Sequence, residues 1–505
     1  MAEEEVKREK AGLRRELTML GFVSTICCTV IGGGINVLTC MVQAKAPGVG
    51  PYVPLAFLIG AIPSLIAGSV AGALSAAVPR AGGHYTYVSR LFDPFLAFFS
   101  SWSRFVGEIG AFVAIAIGDV ALLAAMCKFW GAPGAAKWLN SHTLEVATAI
   151  IIFTWLVNVL GIRIYEVVVD TMFFILLTGF AIVVAAGFAG SPELTLKAIG
   201  GSSAVKSLVA QAGGLPKNTG SLSAIFSAAA TLVFAYVGFE TGTQAAGEVK
   251  NPEKTVFRGM LIALGIITAY YLLYSAAVYH AVPWEYIYAK AVLAKKAGSN
   301  FTVPEAIAPV LKTLSPSWGS ALAGYVAFVA AIALLSDLPP MFLSTSRMTF
   351  AWAYDGMFPK FIAKVHRRFG TPHWALTILM IASVVLVWTV GEFLQAVDIT
   401  TVALLFTYLF ICMTGVVWKF VRPEIYEKAP LGDKTKRAIP WLGAIGTVLS
   451  LLFLGEIAIS DPQSFYWWIV LMVPGPFIFY YAYSRTVKRL GPKKARERLM
   501  TIPPE

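Results

Sequence analysis

The stretch T-V-I-G-G-G-I-N-V-L-T, Thr29 to Thr39, decides how the rest of the chain is read. It lies inside an apolar run, yet it sets three consecutive glycines where a helix should be most regular. Each glycine costs about 1 kcal/mol relative to alanine in a helix interior. The interruption therefore needs a reason, either close helix packing or a site built from exposed backbone. The 505 residues around it are 57% hydrophobic and 13% charged, with a mean hydropathy of +0.71. Runs of about 20 apolar residues, long enough to cross a bilayer, recur along the whole length. Twelve are read, at 18–45, 51–78, 94–128, 143–163, 165–190, 221–247, 256–282, 318–350, 373–390, 396–420, 438–460 and 465–485, numbered here as segments 1 to 12. The expected fold class is an all-α polytopic membrane protein of about 12 transmembrane helices.

The net charge of +12 raises the question of a nucleic-acid partner, and its distribution answers it. With an even number of spans, one side of the membrane collects 29 of the 40 lysines and arginines. The positive-inside bias then puts both termini in the cytoplasm, and no nucleic acid is expected. The leading M-A-E-E-E-V-K-R-E-K mixes both signs and has no small-residue cleavage site, so no removable signal peptide is read. The five cysteines fall in apolar segments without metal-ligand or disulfide spacing and read as small buried hydrophobes. The five histidines are scattered, which argues against a zinc cluster or a catalytic pair, and no G-x-x-x-x-G-K-[ST] loop supports an ATP-driven pump. No cofactor and no enzymatic activity are expected.

Segment 6 answers segment 1 in kind. F-A-Y-V-G-F-E-T-G, Phe234 to Gly242, again carries glycines and a charge at mid-membrane depth. Segments 1 and 6 are equivalent if the chain holds two five-span halves, and an odd number of spans per half makes the copies run in opposite directions, as in many secondary transporters. The division that follows is a cytoplasmic segment at 1–17, a first five-helix repeat at 18–190 and an extracellular loop at 191–220. A second, inverted repeat covers 221–420, a cytoplasmic loop with two additional helices 421–485, and a cytoplasmic tail 486–505. Unwound backbone is tolerable in a bilayer only where it lines a cavity or holds a ligand. Exposed helix N-termini attract a carboxylate, and freed carbonyls attract an ammonium or a metal cation. An α-amino acid carries both charges on one carbon and is the simplest ligand for such a place.

Four motifs, in order along the chain, resemble those of the amino acid–polyamine–organocation (APC) superfamily of transporters. V-I-G-G-G-I is similar to its segment 1 signature, and P-R-A-G-G-H-Y-T-Y-V-S-R-L-F-D-P-F-L-A-F (Pro79 to Phe98) to its loop between segments 2 and 3. F-A-Y-V-G-F-E with E-V-K-N-P-E-K-T-V-F-R-G (Glu248 to Gly259) resembles its segment 6 and the loop after it, and S-R-M-T-F-A-W-A-Y-D-G-M-F-P-K-F with G-T-P (Ser346 to Phe361, Gly370 to Pro372) the loop after segment 8. The resemblance implies a LeuT-type fold, a 5+5 inverted repeat plus two C-terminal helices, with segments 1 and 6 broken at the substrate. It implies a secondary carrier of amino acids or related amines in the cytoplasmic membrane, working by symport with protons or sodium. The alternatives are an exchanger without ion coupling, a carrier of cationic amino acids or polyamines, and a membrane amino acid receptor. A monomer surrounded by lipid suffices for this activity, and the oligomeric state stays open.

Carried over position by position, the resemblance gives the substrate carboxylate to the amides of Gly33 and Gly34. The ammonium goes to the carbonyls of Val30, Phe234 and Val237, with Phe234 also acting as a gate. Gly32, Ala235, Tyr236 and Gly238 complete the backbone of the site, and Gly107, Glu108 and Phe112 of segment 3 approach it. Arg104 and Glu108, four apart, face the same side of their helix, so a mutual ion pair competes with a substrate contact for Glu108. Asp337 stands beside Pro339 and Pro340 in segment 8, where missing N–H groups free carbonyls. The resemblance makes Cys28, Ile31, Ser336 and Asp337 the ion-coupling group, with sodium at Ser336 and Asp337 as the only metal considered. Asp337 could instead carry a proton, or simply accept bonds from freed backbone. Some proton-coupled relatives use a segment 5 lysine here, and this chain has Leu176. Replacing Gly33 with valine is expected to abolish amino acid uptake while leaving expression intact; unchanged uptake would remove the segment 1 assignment.

Overall fold

In the computed structural model the described residues are 13–390 and 393–502. The charged decapeptide at the start and the last three residues of the tail lie outside them. Among the described residues the regular structure is helical, with one isolated parallel bridge between Leu17 and Val249. Ten helices are long and apolar enough to cross a membrane, and an eleventh is counted if Pro133–Ser141 and Thr143–Val159, bent by 82°, form one span. Segment 9 is a shorter apolar helix, His373–Thr389, so length and composition do not reach the expected count of twelve. The multi-pass arrangement itself follows from lipid: a spanning chain must satisfy its backbone internally, and helices do so segment by segment.

Segment 3, Pro94–Phe129, runs through the molecule and packs against segment 8, Gly319–Tyr354, and segment 10, Phe393–Val421. Asp93 starts segment 3 by accepting hydrogen bonds from the amides of Phe95 and Leu96 at 2.9 and 3.1 Å, satisfying donors that a first turn leaves unpaired. Segment 7, Pro252–Ala281, packs on segment 2, Val53–Ala77. Segment 8 stays helical through Pro339 and Pro340, so the expected disturbance there takes the form of missing donors and not of a break. The Pro339 carbonyl accepts from the Asn158 side chain at 3.1 Å.

Both ends of the described chain meet at one face. Leu13 and Ile502 line the same chamber of about 1220 Å³. A clasp of buried charge closes one wall of it. Arg90 donates to both carboxylate oxygens of Asp355 at 2.8 Å, and Tyr85 donates to the same group at 2.6 Å. The carbonyls at the C-terminal end of helix Pro492–Met500, which have no helical partner, turn toward cations: Arg90 donates to Thr501 at 3.2 Å and Arg422 to Met500 at 3.0 Å. Ala495 and Leu499 of that helix are buried. Asp355→Asn leaves Arg90 without a counter-charge and loosens this tail. Limited trypsin digestion is expected to cut at Lys493 to Arg498 faster in the variant, and equal rates would show that the tail is held by its apolar contacts alone.

Candidate functional site

The helix of segment 1 ends at Val30, and Ile31 departs from helical backbone at φ −84°, ψ 71°. Helical geometry resumes as a single wide turn at Gly34–Leu38 and then as an α-helix at Thr39–Lys45. Segment 6 is α-helical over Leu222–Leu232, tightens over Val233–Tyr236, and turns extended at Val237. Gly238 follows at φ +113°, a conformation that a side chain strongly disfavours. The two interruptions meet backbone to backbone. A Cβ on Gly34 would lie 2.9 Å from Ala235 Cα, and one on Gly238 would lie 3.0 Å from the Thr29 carbonyl oxygen. Glycine at these two positions is a condition of the approach.

Every group freed by the breaks that can be traced finds a partner, as burial in a membrane requires. Gly32 N–H returns to the Val30 carbonyl at 3.0 Å, and the Gly32 carbonyl accepts from the Asn36 side chain at 3.3 Å. Tyr274 donates to that same Asn36 at 2.9 Å. Tyr271, one turn earlier in segment 7, donates to the carbonyl of Ala235 at 2.7 Å and to that of Val30. Tyr279 donates to the Thr39 carbonyl at 2.9 Å. One face of segment 7 thus staples the broken stretch. Sequence reading missed it, although A-Y-Y-L-L-Y-S-A-A-V-Y, Ala269 to Tyr279, is unusually rich in hydroxyls for an apolar span.

A cavity of about 60 Å³ lies where the breaks meet. Of the residues expected at the substrate, Val30, Gly34, Glu108, Phe234, Ala235, Val237 and Gly238 line it. Gly32 and Gly33 sit behind it against segment 8: a Cβ on Gly32 would strike the Asp337 carboxylate, and one on Gly33 would come within 2.8 Å of the Leu334 side chain. Gly107 faces segment 10 instead, where a Cβ would lie 2.9 Å from that of Ala403, and its carbonyl accepts from Thr400 at 2.9 Å. Phe112 is fully buried against Phe342, with ring centroids 4.7 Å apart. Tyr236 is turned away to donate to the Phe57 carbonyl at 3.0 Å. Ala111 and Ile115 present the segment 3 wall in place of Gly107 and Phe112, one helical turn apart.

Asp337 also lines the cavity, with a side chain 7% exposed and one carboxylate oxygen, Oδ1, without a hydrogen-bond partner. The Gly33 amide is directed at this carboxylate. Of its expected ion-coupling companions, Ser336 donates to the Ala333 carbonyl at 2.8 Å and reaches the Cys28 carbonyl at 3.4 Å. Cys28 and Ile31 are fully buried and do not reach the cavity. Among the described residues, no group of three or more His, Cys, Asp or Glu side chains could hold a metal ion.

The cavity floor is a charge cluster. Arg104 pairs with both Glu108 and Glu240, and donates to Ser344 at 3.1 Å and Thr241 at 3.3 Å. Glu108 also accepts from Thr345, and Glu240 from Tyr408 at 3.1 Å. Arg104, Glu108 and Glu240 are at most 2% exposed. The ion pair between Arg104 and Glu108 weighed from the sequence is therefore present, and Glu240 makes it a triad joining segments 3, 6, 8 and 10. Removing one member of a buried ion network leaves uncompensated charge, at a cost of about 3–5 kcal/mol. Arg104→Gln is expected to lose stability of that order in thermal unfolding, while Glu108→Gln, which leaves Arg104 paired with Glu240, loses less. The opposite ranking would refute the shared-partner arrangement.

Comparison with known proteins bears on what this site serves. The family model described as Amino acid permease matches residues 17–479. The chain is 25% identical to the branched-chain amino acid permease BcaP of Bacillus subtilis (strain 168), covering 97% of this chain and 96% of that protein. It is 27% identical to the methylthioribose transporter of the same organism over 93% and 92% of the two chains, and 23% identical to its serine/threonine exchanger SteT over 94% and 98%. A membrane chain of many apolar helices, matched nearly end to end by transporters, is not an enzyme: it belongs to the amino acid permease family of the APC superfamily.

Proposed function

We propose that this protein is a secondary active transporter of amino acids or related amines in the cytoplasmic membrane, working by alternating access about the cavity between segments 1 and 6. The observation that carries this reading is the space of about 60 Å³ at the meeting point of two interrupted membrane helices, lined by residues of both. Such a space grips the charges shared by all amino acids and leaves selectivity to Ile115, Phe234, Met341 and Leu404, the apolar side chains that face it. The Gly34 amide of segment 1 serves the carboxylate, the carbonyls of segments 1 and 6 the ammonium, and Phe234 the gate.

The topology we infer has a LeuT-type 5+5 repeat, two further helices and both termini in the cytoplasm. It is supported by Leu13 and Ile502 sharing one chamber, which requires an even number of crossings. Counting Thr143–Val159 and His373–Thr389 with the ten long helices gives twelve. Coupling is assigned to Asp337, whose carboxylate abuts the break in segment 1, with Ser336 and the carbonyls of Cys28 and Ile31 available to a sodium ion. Exchange is the second reading, favoured by Leu176 in place of a coupling lysine. SteT, an exchanger of serine and threonine, is similar over nearly its whole length.

Uptake of a labelled amino acid mixture into proteoliposomes is the test. Accumulation driven by a proton or sodium gradient supports symport, counterflow without a gradient supports exchange, and binding without flux supports a receptor. In the symport case Asp337→Asn is expected to retain counterflow while losing accumulation; gradient-driven accumulation at the wild-type level would exclude Asp337 as the coupling group.

A further inference from the structure

The hydroxyl of Tyr271 stands where two carbonyls from two different broken segments converge, those of Val30 and Ala235. A phenol has one O–H to donate, so one proton serves two acceptors. Elsewhere on the same face each tyrosine hydroxyl donates to a single acceptor: Tyr274 to Asn36 and Tyr279 to Thr39. Tyr271 is fully buried, its ring packed against Phe57 and Tyr236 with centroids 5.5 and 4.9 Å away. Val30, Ala235 and Asp337 all open on the cavity, and Asp337 Oδ1 there has no partner. Residues carrying two carbonyl oxygens and a carboxylate thus border one small space. Besides the Tyr271 hydroxyl, the donors on these groups are the Gly32 amide, on Val30 at 3.0 Å, and the Gly33 amide, directed at Asp337, while Asp337 Oδ1 has none. A primary ammonium has three N–H donors and a positive charge, and matches that set better than a phenol does.

We propose that Tyr271 is a placeholder: in the empty protein its hydroxyl holds the position of the substrate's ammonium group, and the substrate must displace it to bind. The inference rests on the reading that substrate binds between the two breaks. The device has a physical use. In a bilayer, without this hydroxyl the Ala235 carbonyl would lose its side-chain partner between substrates and the Val30 carbonyl would keep only the Gly32 amide, and the interruptions would tend to close up or take in water. A weakly satisfied donor keeps them apart without binding so well that a charged competitor fails. Tyr271 is then a positioning residue whose bond opposes substrate binding, which is the reverse of what a purely structural hydrogen bond does.

The test uses the purified full chain and a minimal probe, methylammonium chloride, with tetramethylammonium chloride at equal ionic strength as a cation that has no N–H. Thermal unfolding is followed across a concentration series for wild type, Tyr271→Phe and Tyr279→Phe. The last removes a hydroxyl on the same face of segment 7 that donates to the Thr39 carbonyl, away from the cavity. A ligand of the folded state raises apparent stability by mass action. In Tyr271→Phe the half-saturating methylammonium concentration is expected to fall roughly fivefold, the factor for losing one competing hydrogen bond of ordinary net strength. Tyr279→Phe should match wild type, and tetramethylammonium should move none of the three. An unchanged or weaker methylammonium response in Tyr271→Phe, or an equal response to tetramethylammonium, overturns the proposal. If Tyr271→Phe does not fold in plain buffer, recovery of folded protein by methylammonium during solubilisation supports it, and no recovery counts against it. Absence of amino acid flux through the wild type would remove the transport reading but leave this comparison readable. An unaltered methylammonium response would remove only the placeholder.

Discussion

Unpaired peptide groups cannot face lipid, and the whole structure is arranged around two places where helices nevertheless stop. Segments 1 and 6 each lose regular hydrogen bonding at the same depth, and each supplies what the other lacks room for. Gly34 lets Ala235 approach, and Gly238 lets the Thr29 carbonyl approach. The remaining freed groups are met from outside the pair. Segment 7 brings Tyr271 and Tyr274, and segment 8 brings Ser336 and Asp337. An interrupted helix in a membrane is thus a demand on its neighbours, and of those that answer here Asp337 also lines the cavity.

Charge inside the membrane follows a second rule. A lone ionised side chain at the bilayer centre costs at least about 2.5–3.5 kcal/mol, so such groups persist in partnership or in use. Arg104 is held by Glu108 and Glu240, and Arg347 makes two bonds of 2.8 Å to Glu248. Both networks tie segment 6, the more extensively unwound of the two broken segments, to the long helices of segments 3 and 8. Asp337 differs from these carboxylates. It has no cationic partner among the described residues, and one of its oxygens is unsatisfied beside the cavity. Asp119 is likewise buried with one oxygen unpartnered, and position separates the two, since Asp337 lines the cavity and Asp119 does not.

Below the cavity the ion pairs become a fastening system. Arg347 and Glu248, then Arg90, Tyr85 and Asp355, then the carbonyls of the C-terminal helix succeed one another toward the chamber where both termini lie. Bidentate arginine bonds are directional and break as units. They suit parts that must be firmly joined in one arrangement and separated in another.

Much of this was legible in the residues. Apolar runs gave the membrane class, and ten of the twelve correspond to helices long enough to cross. The glycines at 32–34 and at 238 marked both interruptions, because helix propensity is local and its violation is visible in one dimension. The pairing of Arg104 with Glu108 was readable from a spacing of four. What lay beyond reach depended on rotation and depth. Whether Gly107 or Ala111 faces the cavity is a matter of one helical turn, and a helix surrounded by protein on most sides carries no polar stripe to orient it. Tyr271 belongs to a segment without a break or a charge, and only the folded chain brings its hydroxyl to carbonyls 241 and 36 residues away. The sequence by itself determined where the helices must stop, because that is written in backbone preference. Tertiary structure alone decided which neighbours satisfy the stopped ends, because hydrogen-bond partners are selected by distance in space.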